Sequence, residues 1–543
     1  MNLCHSSPMP LKSAFAFLAG LLLAGNAYAT DLPADNTPEK LGTVRFPISC
    51  NEAAQAHFSR AVALLHSFHW QEVRKALAQA AKEDPACAMV HWAHAMAAMG
   101  NPYAWPLTGK SLGDGIASVE KARQLAPKTE RERDYIAGVE YFFRDAEKIP
   151  AQTRQLAYEL AMSQLAAKYA DDIEARIFHA LALSANYDPN DKTYRNQLRA
   201  AQILEGVLAD KPDHPGVSHY LIHCYDSPPL APRGLPSAYR YRDIAPSAPH
   251  ALHMPSHIFT RLGMWDDSIA ANTAVLSSTR DHSSRLHSWD YMDYAYLQKA
   301  QDEDAKRVLS EIQALRKIDG ESFGAAYALA AIPSRMVLER QRWTEAASLK
   351  LPISEFDFSW QQFPHAEAII VYARALGAAR LGNLSAARKD TARLATLKSA
   401  MREAKQFYWA DQADIQIQTV NAWIARAGGQ RQEALRRLRQ AADHEDGTEK
   451  SAVTPGPIIP VREQLGDMLM AMKQPREALA EYEKAIVKEP NRFRSLFGAA
   501  RAAEAIKEGG TARKYYQLLL ASANNPQGAH AETQHARQYL ARR

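Results

Sequence analysis

LGDMLMAMKQPREALAEYEKAIVKEP, residues 465–490, decides how this chain folds. Small and apolar residues return every three or four positions, the spacing of one face of an α-helix. Leu465, Gly466 and Leu469 mark a first helix. Ala478, Tyr482 and Ala485 mark a second, and Pro490 ends it. A shift of 34 residues carries Leu469, Ala478, Tyr482 and Ala485 onto Ala503, Ala512, Tyr516 and Leu519. Two segments in that register describe one helical hairpin used twice. The small positions let two helices approach closely, and the aromatic wedges between repeats.

The pattern extends towards the N-terminus. One unit reads Leu64, Val73, Leu77, Ala80 and Pro85; another reads Phe259, Gly263-Met264-Trp265, Ser268 and Val275. Degenerate units occupy 287–316, 325–350, 368–400 and 415–443, and strand patterning is almost absent. The expected fold class is therefore all-α, a solenoid of antiparallel helix pairs. The expected divisions are a signal peptide (1–29), an extended lead-in (30–50) and N-terminal helical repeats (51–210). A His-rich central region (211–350), degenerate repeats (351–450) and a C-terminal repeat pair (451–543) follow.

Lys12, the apolar run from Ala14 to Ala24 and Ala27-Tyr28-Ala29 have the charged start, apolar middle and small-x-small end of a cleavable export signal. Cleavage after Ala29 implies a periplasmic or secreted protein without a membrane span. A net charge of +5 over 543 residues gives no case for nucleic acid. Export permits a disulfide, and Cys50 and Cys87 flank the first repeat, so they are the expected pair. Cys224 reads first as a small buried hydrophobe and second as a metal ligand.

The chemistry concentrates in the centre. His219-Tyr-Leu-Ile-His223 is followed by Asp226; His253-Met-Pro-Ser-His257 is preceded by His250; His287 precedes Asp290. Spacings of three and four place these groups on single helix faces. Pro255 lies inside the second pair, so the helix either begins near Met254 or kinks there. Gly263 marks a turn between two helices, and Ala300 and Gln341 hold the equivalent turns in the next units. Counting back thirteen, ten and six residues from Gly263 gives His250, His253 and His257. The same count from Ala300 gives His287, Asp290 and Tyr294, and six before Gln341 is Arg335. Equivalent positions stack along one surface of a solenoid.

The 34-residue register resembles tetratricopeptide repeats. Longer strings resemble a large bacterial family of exported tetratricopeptide proteins: His214-Pro-Gly-Val-Ser-His-Tyr-Leu-Ile-His223, Ala248-Pro-His-Ala-Leu-His-Met-Pro-Ser-His-Ile-Phe259, Asp290-Tyr-Met-Asp-Tyr-Ala-Tyr-Leu-Gln298 and Thr454-Pro-Gly-Pro-Ile-Ile-Pro460. Ala63-Leu-Leu-His-Ser-Phe68 and Asp84-Pro-Ala-Cys-Ala-Met89 also match. Members often carry Tyr-Trp-Gly after that Ala-Met; here Val90-His91-Trp92-Ala93-His94 stands instead. The resemblance implies the fold and implies that the histidine positions face the concave groove; it implies no reaction.

Imidazoles with a carboxylate suit a divalent transition metal, Zn, Cu or Fe. The expected ligands are His219, His223, His250, His253, His257 and His287. Asp226 or Asp290 would be the general base or the group that orients a ligand, and Tyr294 and Arg335 would contact substrate. Six imidazoles exceed one closed site, so a dinuclear centre is one alternative. The competing reading is a metal-free scaffold whose groove holds a peptide or protein partner. His66, His69, His91 and His94 form a second, N-terminal set; His66 and His69 straddle a turn and read as surface or packing residues, and His91 and His94 have no assigned role. Glu449-Lys450 before Thr454-Pro-Gly-Pro457 reads as a loop between repeats, with a loop dipping into the groove as the other option. Walker, dinucleotide, Gly-x-Ser-x-Gly and His-Glu-x2-His motifs are absent.

Overall fold

The computed structural model describes residues 38–105, 107, 109–351, 358–523 and 530–542. The expected export signal lies outside the described residues. Contacts divide the chain into Met1–Glu39 and Lys40–Arg543. The larger unit is α-helical, with no strand among the described residues. No described helix is long and apolar enough to cross a membrane.

Sequential helices pair through short turns, and the turn conformation repeats. Gly263 (φ +65°), Ala300 (φ +56°) and Gln341 (φ +51°) all occupy the left-handed region. Lys473 and Lys507, one period apart, do so at +63° each. Non-glycine residues rarely adopt this conformation, so its recurrence marks one turn built repeatedly. The aromatic wedge is also present. A Cβ on Gly466 would come within 2.7 Å of the Tyr482 ring, and one on Gly498 within 2.4 Å. Only glycine lets both helices close on that ring.

Residues 40–50 carry no helix, and their end is packed into the core. Phe46 is buried against Phe58, Trp92 and Tyr135, with ring centroids 5.5, 5.2 and 4.9 Å away. The sulfurs of Cys50 and Cys87 lie at disulfide distance and tie this segment to the helix Ala88–Met99. Cys224 is free and buried.

The repeats do not run as an open row. The C-terminal units turn back onto the centre: Trp265 Nε1 donates to the Asn491 carbonyl at 3.1 Å. Asn491 Nδ2 donates to the Gly263 carbonyl at 3.2 Å. A buried pair joins Arg492 Nη2 to Glu339 at 2.7 Å. The 448–460 segment is likewise drawn inside. Lys450 reaches Asp226, and the Thr454 hydroxyl accepts from Tyr327 at 2.9 Å. The segment therefore dips inward instead of passing outside as a loop between repeats.

Candidate metal centre

Helix Pro215–Tyr225 carries His219 and His223 one turn apart. The short helix Pro249–His253 carries His250 and His253, and the helix Pro255–Arg261 carries His257. Pro255 opens that second helix, where its missing N–H costs nothing. Met254 keeps right-handed helical angles, so His253 and His257 stay on one side despite the break. Helix His282–Gln298 brings in His287.

These six imidazoles form two abutting triads. One ring nitrogen from each of His219, His223 and His250 lies within 4.8 Å of the others, and His253, His257 and His287 do the same. The triads meet where His223 faces His257, with ring centroids 6.0 Å apart, and where His250 faces His253 at 6.2 Å. Phe68 and Tyr103 cover the first triad, the latter stacked on His223 at 4.0 Å. Tyr291 packs on His253, His257 and His287 at 4.8 to 5.3 Å.

Hydrogen bonds fix the tautomers of His253 and His257. His257 Nδ1 donates to Asp226 Oδ2 at 3.0 Å. His253 Nδ1 lies 2.7 Å from Asn272 Oδ1. Asn272 spends its Nδ2 on the Ser268 carbonyl at 2.8 Å, so its oxygen must accept from His253. With Nδ1 protonated on both neutral rings, each Nε2 presents a lone pair. Those two nitrogens face each other at 3.1 Å. Two acceptors at that distance repel unless a proton or a cation lies between them. Protonation is opposed: burial holds His253 well below the ordinary imidazole range. Burial also lowers His257, although Asp226 pulls the other way. His287 is pushed down by burial to about 3, and it makes no hydrogen bond to a described residue.

Asp226 is the hub beneath this triad. Burial favours its neutral form, but Lys450 and Arg261 outweigh that and keep it ionised. Arg261 Nε donates to Oδ1 at 2.9 Å and Lys450 Nζ to Oδ2 at 2.8 Å. Burial lowers Lys450 itself to about 8. Lys450 and Arg261 also line a cavity with room for several waters (≈ 80 Å³), walled by Tyr408, Trp409, Glu445 and Glu489.

Asp290, Tyr294 and Arg335 are bonded to groups other than the histidines. Asp290 is buried in an ion pair with Arg335. Tyr294 bonds Arg492 at 3.0 Å. Among the described residues, no hydrogen bond or ion pair joins Asp290, Tyr294 or Arg335 to any of the six histidines. Seven residues separate His287 from Tyr294, about 10 Å along the helix at 1.5 Å per residue. The same helix places Tyr291 at the histidines instead, four residues on from His287 and visible at that spacing. Asn272, Lys450, Phe68 and Tyr103 had no such signal.

A third cluster lies behind the first triad. Glu174 accepts from His66 Nε2 at 2.9 Å and from His214 Nε2 at 3.0 Å. His66 Nδ1 meets the Tyr220 hydroxyl at 3.0 Å, and the His66 carbonyl accepts from His219 Nδ1 at 2.6 Å. His66 is fully buried, so of the two roles expected for it, packing applies and surface does not.

No protein-family model matches the chain, and no curated protein matches it. Solved structures similar to it include the human IFIT1 dimer with PPP-AAAA. That match has 12% identity and a TM-score of 0.39, over 88% of this chain and 96% of that one. Another is Naa15/Naa10 bound to HypK-THB, at 12% identity and a TM-score of 0.24, over 90% and 73%. At these scores neither carries an argument about function.

Proposed function

We propose that the protein is an exported metal-binding solenoid in which His253, His257 and His287 hold a transition-metal ion. The carrying observation is the pair of Nε2 lone pairs held 3.1 Å apart by hydrogen bonds on the opposite ring nitrogens. Metal-binding histidines almost always donate their other N–H to a carboxylate, carbonyl or water, which fixes the tautomer. Asp226 and Asn272 supply those partners here. Neutral imidazoles suit zinc, copper or iron. Three protein ligands leave a coordination position open, as in catalytic sites. When bound, such an ion would activate water or dioxygen for hydrolysis or oxidation. Asp226 would orient His257. The metal-free partner scaffold needs residues other than these. His219, His253 and His257 are at most 2% exposed and offer no surface to a peptide.

Periplasmic or secreted localisation stays part of this proposal, as do the divisions at 51–210, 211–350, 351–450 and 451–543. The test is elemental analysis of purified and reconstituted protein. Near-stoichiometric zinc, copper or iron that disappears in His257→Ala supports the reading. Failure of the wild type to retain any of the three after reconstitution overturns it.

A further inference from the structure

We infer that the six histidines form a two-ion centre, with His219, His223 and His250 holding a second ion, and that both ions are copper in the Cu(I) state. The inference rests on the metal reading above and adds the second position and the identity of the metal.

The second position follows from the first triad. His219 donates Nδ1–H to the His66 carbonyl at 2.6 Å, so its Nε2 carries a lone pair. That lone pair faces His250 Nε2 at 3.1 Å. A proton on His250 can satisfy this contact. It leaves His223 Nε2, which is buried and has no hydrogen-bond partner. A buried polar atom without a partner is costly, and His223 belongs to a triad that offers two further ring nitrogens to the same point. An ion among the three rings takes up all three nitrogens together. The rings of the two triads touch at His223–His257 and His250–His253. Two ions would therefore be neighbours, with no protein group interposed.

The identity follows from charge. All six ligands are neutral imidazoles, and no carboxylate stands between the triads. The carboxylate bonded to the cluster, Asp226, is already matched by Arg261 and Lys450. The protein therefore supplies no negative charge to offset two ions in a buried site. Coulomb repulsion scales with the product of the charges, so a divalent pair repels four times as strongly as a monovalent pair at one separation and dielectric. Imidazole-binding first-row metals include copper, and copper alone among zinc, copper and iron is stable as a monovalent ion in a protein.

The experiment loads the whole mature chain anaerobically with Cu(I), and separately with Zn(II), against a chromophoric chelator. Bound metal is counted by mass spectrometry. The expected result is two Cu(I) per chain in the wild type, one in His250→Ala and one in His223→Gln, with unchanged helicity. Zn(II) should fail to fill both positions at chelator levels that leave Cu(I) bound. One Cu(I) per wild-type chain, two retained in both variants, or two Zn(II) held as tightly overturns the inference and leaves the metal reading standing. No metal of any kind in the wild type overturns both. If a variant does not fold, the wild-type counts decide alone.

Discussion

Two buried histidine clusters in this molecule have opposite hydrogen-bond character. In one, His66 and His214 meet edge to face at 4.8 Å and both donate to Glu174, so a carboxylate accepts from the two rings. In the second, His253 and His257 have already donated to Asn272 and Asp226, and their remaining nitrogens confront each other. Burial does not separate the two, since both are shielded from water. Donor–acceptor parity does. A cluster whose facing nitrogens share a carboxylate is held together without a cation, although His214 Nδ1 stays unpartnered, whereas one whose lone pairs meet lone pairs is complete only with a cation. The contrast predicts that mutation of the first cluster shows in stability and mutation of the second in metal content.

The largest effect expected is at His257. Replacement by alanine should remove metal retention almost entirely while the helical circular dichroism persists. A variant that unfolds and shows no metal-dependent signal before it does would place His257 with the structural cluster.

Glu174→Gln should act oppositely. Burial favours the neutral acid, but His214 and His66 together hold Glu174 down at about 2. A carboxylate depressed from 4.5 to about 2 contributes roughly 3 kcal/mol at neutral pH. Because its folded pKa is lowered, the contribution is full above about pH 4.5 and fades as pH falls towards 2. Chemical denaturation of wild type and variant should differ by about that amount at pH 7 and converge under acid. A difference that stays constant with pH breaks the assignment.

Asn272→Leu tests what commits the His253 tautomer. Loss of such an outer partner costs about 10–100-fold in metal affinity. Competition titration should show that drop, and an unchanged affinity would mean that His253 is not held for a ligand role.

The smallest effect expected is at Tyr220, whose hydroxyl meets His66 Nδ1. Tyr220→Phe should lower the unfolding free energy by about 1 kcal/mol and leave the metal count unaltered. A changed count would join the two clusters into one functional unit.

Much of this was legible along the chain, and the reason is periodicity. The 34-residue offset between Tyr482 and Tyr516 exposed the repeats, because each repeat meets its neighbours through the same positions. The histidines were legible because helical spacing of four brings side chains together locally. Asn272 was not, because it lies on the helix Trp265–Ser278 and reaches His253 only through packing. Lys450 stood out as part of a loop that could dip into the groove, but its partner Asp226, 224 residues away, did not. Asp290 and Tyr294 show the limit of register counting. The count selected equivalent positions, but equivalence of position does not fix which side chains meet across helices. The charged pocket built around Arg335 and Arg492 then took Asp290 and Tyr294 as partners.

Lys450 also imposes an order of events in time. A ribosome adds residues from the N-terminus at about 5–20 per second. Every histidine of the two triads therefore exists as chain well before Lys450 does. Until the 448–460 segment arrives, Asp226 has only Arg261 to match it, and the wall between the cavity and the histidines is missing. Local hairpins can form early, but a contact across 224 residues must wait and is slow to close. The last part of the centre to assemble is thus supplied by the final fifth of the polypeptide. A chain cut short before residue 450 would carry all six imidazoles and still lack a finished site.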